Sequence, residues 1–408
     1  MGAHGEMVAD IKFLLRLGVN TTLYEMRSET RLHGPLAVLK EAGLAEYHMG
    51  KIQTDDLIGF DLIILSPDIS NKSFFLKKAK EKEIDIEYPD TLFLKLAPSI
   101  TLIGIMGACG KSTVAHMLYG MLKRSFSEYE DQGLYFIDPD LPNGSIAHLK
   151  KIKAGDVVLA RIPEELINEY HTAHISPHVA IITSLSSINT HEVKKISSLL
   201  EFQTYNNFII ASDEVIDSIK EQVKFTPKAK MLRTKGKNST LATQAAELFK
   251  VNSEICQTVV DEFTGLKGHQ ELVKKMNGIE YYNDASSISP MSTLYALRDL
   301  SNNKNVVLIL GGAYTGYDYG DLIKNIPEYA HTVILLPGSG TIGFRKEIEK
   351  LQGIKYMQSP NLEEAVLVSK DYARKGDIVL FSPGCEAIGV HISRRERGEK
   401  FVKAVRSL

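Results

Sequence analysis

Short, nearly unbroken apolar runs recur along this chain, with helix-patterned stretches between them. The clearest runs are 61–66, 101–106, 156–161, 178–183, 207–211, 305–311, 332–337 and 377–382. A strand that is apolar at almost every position needs cover on both faces, as parallel strands flanked by crossover helices have. The pattern predicts an α/β chain of βαβ units. Between the runs, Val114, Met117, Leu118, Met121 and Leu122 repeat at i, i+3, i+4, i+7 and i+8 and mark one face of a helix. At 408 residues the chain exceeds one ordinary core. Two seams divide it. Leu96-Ala97-Pro98-Ser99 precedes a fresh strand, and Gly265-Leu266-Lys267-Gly268 precedes another near 278–282. Three domains are therefore expected, over 1–96, 97–266 and 267–408.

Charge and cysteines narrow the partners. Forty-eight basic and fifty acidic side chains leave a formal charge of -2, which argues against a nucleic-acid binder held by bulk electrostatics. No apolar run approaches the roughly 18 residues of a membrane span, and no basic region followed by an apolar stretch marks an export signal. Cys109, Cys256 and Cys385 are far apart, without metal-ligand spacing, and fit free thiols in a reducing compartment. A cytoplasmic monomer is expected. At the start, Gly2-Ala3-His4-Gly5 ahead of a helix-patterned 7–17 has the character of a turn joining a first strand to a first helix. Either the sheet lacks that strand or the start lies upstream.

The strongest chemical signal is the segment 101–113, in which a buried strand runs into Gly107-Ala108-Cys109-Gly110-Lys111-Ser112-Thr113 and then into the helix. Glycines let backbone N–H groups close around phosphate oxygens, and a helix N-terminus adds partial positive charge. Lys111 is the cation expected to reach the terminal phosphates, and the Ser112 hydroxyl the group expected to ligate Mg2+. The spacing is a shorter variant of the common phosphate loop, which has Gly where Ile105 stands.

That loop resembles the Gly-Thr-Asn-Gly-Lys-Ser/Thr-Thr loop of the Mur ligases, which build the peptidoglycan stem peptide. Three further segments are similar to the D-glutamate-adding branch of the family. They are Asn283-Asp284 with 289–293, the Gly311-Gly312 turn through Gly316 and Asp318, and Ser382-Pro383-Gly384-Cys385 through Arg397-Gly398 and Phe401. The resemblance spans essentially the whole chain. It implies a Rossmann-like N-terminal UDP-binding domain, a central P-loop-type ATPase with a mostly parallel sheet, and a Rossmann-like C-terminal domain. It also implies ATP and Mg2+ as cofactors, with Gly107, Gly110, Lys111, Ser112, Thr113, Asn283 and Asp284 at the nucleotide, the Asp on the ribose. Asn143, in a turn with Gly144, and Arg27 are implied at the substrate. The substrates would be UDP-N-acetylmuramoyl-L-alanine and D-glutamate, joined through an acyl-phosphate.

The chain departs from the family where the chemistry sits. A metal-facing Glu is Ala160, with Arg161 beside it on the opposite strand face. A His position reads Asn189, with His191 as a nearby substitute, and a carbamylated Lys falls at Ile196 beside Lys194 and Lys195. The acceptor site is altered at Thr315, Ala387 and His391, and an interdomain Pro-His-Arg reads Lys267-Gly268-His269. Glu164, Glu165 and Glu201 are the carboxylates that could replace the missing ones. Two readings follow. One is an active ligase with a rebuilt site. The other is a catalytically degenerate relative that binds ATP or a UDP-sugar and acts through a partner. A folylpolyglutamate-type ligase is a weaker third, disfavoured by the UDP-type N-terminal domain.

Overall fold

A computed structural model describes residues 5–25, 29–50, 59–66, 74–126, 132–138, 141, 143–185, 190–222, 227–235, 237–314, 316–387 and 394–408. The chain divides into two compact units, Met1–Phe263 and Thr264–Leu408. All eight apolar runs carry a strand.

The first unit opens with two separate parallel pairs. β1 (Thr22–Glu25) pairs with β2 (Glu46–Met49), and β3 (Leu62–Ile64) pairs with β4 (Asp85–Glu87). Its main sheet comprises β5 (Thr101–Met106), β6 (Leu134–Ile137), β7 (Val157–Arg161), β8 (Val179–Ile182), β9 (Phe208–Ser212) and β10 (Lys230–Thr234). The order is β10-β9-β8-β5-β7-β6, and every pairing is parallel. β5 has β7 on one side and β8 on the other, so the topology reverses at β5. In open α/β sheets such a switch point leaves a crevice beyond the carboxyl ends of the strands.

Side-chain alternation gives this sheet two apolar faces. Ile103, Ile105, Val157, Leu159 and Ile181 pack on the side of the helix Lys111–Phe126, against Val114, Met117, Leu118, Met121 and Leu122. Leu102, Met106, Val158, Ala160, Ala180 and Ile182 face the other way, toward Leu166, Tyr170 and Ile196. β7 and β8 are buried at every position, as strands covered on both faces must be.

The second unit holds β11 (Glu271–Met276), β12 (Ile279–Asn283), β13 (Val306–Leu310), β14 (Ala330–Leu335), β15 (Lys355–Gln358) and β16 (Ile378–Phe381). Its order is β11-β12-β16-β13-β14-β15, parallel except for the hairpin pair β11 and β12. The helix Pro290–Leu300 starts on a capping box between Ser289 and Ser292, with Pro in its first turn.

Gly104 marks the tightest packing of β5. A Cβ there would lie 2.4 Å from Pro177 Cγ and 2.9 Å from Ile162 Cδ1. Gly104→Ala therefore overpacks the core and lowers unfolding stability by about 1–3 kcal/mol. Urea unfolding checks this: the midpoint should fall at an unchanged slope, and an unmoved midpoint refutes the packing argument.

Candidate active site

Two glycines shape the loop after β5: Gly107 at φ 128° and Gly110 at φ 83°. Neither has room for a side chain. A Cβ on Gly107 would meet Thr183 Oγ1 at 2.5 Å, and one on Gly110 would meet Asn238 Oδ1 at 2.4 Å. The first half of the loop is fastened to the end of β8. The Ala108 N–H donates to the Ser184 carbonyl at 3.0 Å, and the Cys109 N–H donates to Ser184 Oγ at 2.9 Å. The Thr183 hydroxyl lies within hydrogen-bonding distance of the Met106 and Cys109 carbonyls. The second half becomes the first turn of the helix Lys111–Phe126, where the N–H groups of Lys111, Ser112 and Thr113 have no acceptor within the helix. Loop and helix together present the donor array that an anion needs.

The Lys111 ammonium sits inside this loop. Its Nζ donates to the carbonyls of Gly107 and Ala108, the latter at 3.1 Å, and among the described residues no carboxylate pairs with it. Burial holds its pKa below the ordinary lysine value, and the neighbouring charge of Arg161 adds to that effect. Cys109, Glu165 and Glu164 pull the other way.

The structure corrects one expectation about β7. Ala160 is fully buried in the apolar layer with Leu102, Met106 and Leu166, on the face away from the loop helix. The end residue on the helix face is Arg161, opposite Ile105 in the strand register. Its Nε donates to Asp138 Oδ1 at 2.7 Å, and both side chains are buried. A Glu at position 160 would bury a carboxylate in hydrocarbon rather than offer a metal ligand.

The other metal candidates are also accounted for. Ile196 is core. Lys195 pairs with Glu164 at 3.3 Å, and Glu201 with His171 at 2.8 Å. Asn189 and the His191 side chain lie outside the described residues. Among the described residues no three of His, Cys, Asp and Glu come together as metal ligands. Among the described residues the donors form no carboxylate cluster for a magnesium; Glu165 and Glu164 act on the Lys111 charge without gathering further ligands, and Ser112 Oγ is the ligand expected from the sequence.

Asn143 is exposed in a turn with Gly144 at φ 69°. Two buried aspartates support the segment that follows. Asp10 Oδ1 accepts from the Ala147 N–H at 2.8 Å, and Asp90 Oδ1 accepts from the Ser145 hydroxyl. The second oxygen of Asp10 is buried without a hydrogen-bond partner, and the buried Tyr170 hydroxyl is the group that faces Asp90. Burial pushes Asp10 up to about 7, with the charge of Asp90 adding to the rise, and pushes Asp90 up to about 6 against the lowering effect of Ser145 and Arg161. Arg27, Thr315 and His391 lie outside the described residues.

In the second unit, Asn283 and Asp284 are buried and partnered internally. Asn283 Nδ2 donates to Glu271 at 2.9 Å, and its Oδ1 accepts from the Ala285 N–H. Asp284 Oδ2 accepts from the hydroxyls of Ser287 and Ser382, at 2.5 and 2.7 Å, and Oδ1 accepts from the Gln270 N–H at 3.2 Å. Burial raises its pKa to about 7 despite these donors. A ribose contact by this carboxylate would have to exchange one of them. The closing Arg-Gly segment fastens the same turn: Arg397 donates to the carbonyls of Cys385 and Ala285, at 2.8 and 2.7 Å. Ala387 is buried beside it.

The sequence reading missed Asn238 and the Thr183-Ser184 pair, which line the loop from other strands and helices. Only the tertiary structure brings them there.

A strand–glycine loop–helix unit at the switch point of a parallel α/β sheet has the form of the P-loop-type α/β proteins. No protein-family model matches the chain. The UDP-N-acetylmuramoylalanine–D-glutamate ligase of Clostridium botulinum (strain Okra / Type B1) is 26% identical, over 98% of this chain and 94% of its own length. That of Roseiflexus sp. (strain RS-1) is 24% identical, over 100% and 97%. A solved murein peptide ligase from Psychrobacter arcticus aligns with TM-score 0.60 at 12% identity, covering 98% of this chain and 97% of that one. The UDP-N-acetylmuramate-alanine ligase of Thermotoga maritima aligns with TM-score 0.60 at 14%, covering 99% and 97%. A MurF ligase from Thermotoga maritima, solved with ADP, aligns with TM-score 0.53 at 13%, covering 88% and 96%. In fold, and along its full length in sequence, the chain is similar to Mur ligases.

The buried aspartates predict a pH dependence. An aspartate in the unfolded chain titrates near 3.8, whereas folded Asp10 titrates near 7. The native state therefore binds the extra proton between those values. The stability this proton contributes is complete below about pH 4 and is lost as the pH rises through about 7. Asp10→Asn keeps an acceptor for the Ala147 N–H, so it should melt higher than the parent at pH 8 and flatten the melting profile between pH 4 and 7. Parallel profiles for the two proteins would refute the assignment.

Proposed function

We propose that the chain is an ATP-dependent amide ligase of peptidoglycan precursor synthesis, joining D-glutamate to UDP-N-acetylmuramoyl-L-alanine. The observation that carries this reading is the Lys111 ammonium inside a glycine loop, at a helix N-terminus, in a chain similar to such ligases over its whole length. ATP lies with its phosphates against the N–H groups of Lys111, Ser112 and Thr113. Lys111 exchanges its two loop carbonyls for phosphate oxygens, which suits a compact charge on a flexible stem. The substrate carboxylate attacks the terminal phosphorus, and the bond to ADP breaks. The amine of D-glutamate then attacks the acyl carbon, phosphate leaves, and an amide forms. Mg2+ arriving with ATP would neutralise phosphate charge, with Ser112 Oγ as its protein oxygen. Asn143 and Arg27 belong to the UDP-sugar side, and Asn283 and Asp284 hold the turn expected near the ribose. The three domains of the sequence reading are retained, and the chain acts as a cytoplasmic monomer.

A second reading has one specific observation behind it. Ala160 and Ile196 are core residues, so two family metal positions are filled with hydrocarbon. On that reading the chain binds ATP or a UDP-sugar and acts through a partner.

Phosphate release separates the two. Purified protein is incubated with ATP, magnesium, UDP-N-acetylmuramoyl-L-alanine and a panel of amino acids. Release that depends on both the UDP-sugar and one amino acid supports the ligase. ATP binding without release under any combination supports the second reading. Lys111→Ala should weaken ATP binding at least about tenfold, the low end for a charged hydrogen bond, while leaving the melt of the free protein nearly unchanged. Unchanged affinity in that variant refutes the loop assignment.

A further inference from the structure

The end of β7 carries a charge arrangement that the proposed ligase reaction has not used. Parallel pairing sets Arg161 opposite Ile105, one residue before β5 ends and the phosphate loop begins. Alternation puts its side chain on the same face as Val157 and Leu159, the face on which the helix Lys111–Phe126 packs. Asp138, just past the end of neighbouring β6, accepts a hydrogen bond from Nε of the guanidinium and fixes its orientation. A cation is thus held by a buried carboxylate next to the loop that encloses a second cation.

We propose that Arg161, oriented by Asp138, binds the terminal phosphates of the nucleotide together with Lys111 and supplies the positive charge that a carboxylate-held magnesium would otherwise supply. The inference rests on the nucleotide reading of the loop and adds to it which groups neutralise the phosphates. Lys111 and Arg161 are close enough for each to feel the other's charge, and Lys111 has only carbonyl partners for its hydrogen bonds. Asp138 offsets the charge of Arg161, whereas no carboxylate among the described residues pairs with Lys111, so an anion at the loop is attracted by both cations. A planar guanidinium also matches the spacing of phosphate oxygens. The remaining donors agree: no carboxylate, histidine and cysteine cluster is available for a metal among the described residues, and Ala160 faces away.

The test measures the dissociation constant for ATP by calorimetry, in magnesium and in excess EDTA, on the full chain. The parent protein should bind ATP with less than about a fivefold difference between the two conditions, well under the loss of one charged hydrogen bond. Arg161→Met should weaken binding about 10- to 100-fold in EDTA and recover part of that loss in magnesium. Arg161→Lys should fall between, since it keeps the charge without the fork. A parent protein that binds tightly only with magnesium overturns the inference and leaves the loop assignment standing. So does a folded Arg161→Met variant with unchanged affinity in EDTA. A parent protein that binds no ATP under either condition sinks the loop assignment and this inference with it. If Arg161→Met unfolds because Asp138 is left unpaired, Asp138→Asn combined with Arg161→Met restores neutrality, and the comparison of the parent protein in the two buffers needs no variant.

Discussion

Backbone must approach backbone at the carboxyl ends of the central strands, and the rest of both units is arranged around that requirement. Between β5 and its helix, the chain turns within four residues while Thr183 and Ser184, just past the end of β8, hold it from one side and Asn238 from another. A single methyl group on Gly107 or Gly110 would collide with them. The same constraint recurs in the second unit. There a Cβ on Gly312 would lie 2.6 Å from the Glu386 carbonyl, and one on Gly338 would lie 2.0 Å from the Gly312 carbonyl. Glycines at these crossings therefore serve packing first, and the open backbone donors of the first loop follow from it.

Buried charge is the second theme. Several buried ionisable groups hold turns. Arg397 ties the carbonyls of Ala285 and Cys385, and Asp284 gathers donors from Ser287, Ser382 and Gln270. Asp10 and Asp90 brace the segment after Asn143. Such groups are costly to bury, which is why the aspartates are pushed toward their neutral forms. Arg161 and Asp138 differ in pairing with each other, beside the glycine loop.

In fold and over its full length the chain is similar to ligases of peptidoglycan precursors. Hydrocarbon occupies positions 160 and 196, and a guanidinium takes the loop-facing side of β7. Changing a side chain at a strand end leaves the backbone ladder untouched, so the residues at the end of β7 are set by the site more than by the fold.

How much was legible beforehand follows from where each signal resides. The interior strands could be read directly, because cover on both faces demands an unbroken apolar run; β5, β7, β8, β13 and β16 all lie within such runs. Strands such as β2, β10 and β15, with partly exposed faces and mixed composition, gave no such signal. The phosphate loop was legible because its glycines, lysine and helix start are contiguous. What the linear order could not settle was which face of β7 meets the loop, since alternation alone leaves the choice between Ala160 and Arg161 open. Only the packing of the helix Lys111–Phe126 against Val157 and Leu159 decided it. The partnerships of Asp10 with Ala147, of Arg161 with Asp138 and of Gly110 with Asn238 likewise join residues distant in sequence, and only the folded chain brings them together.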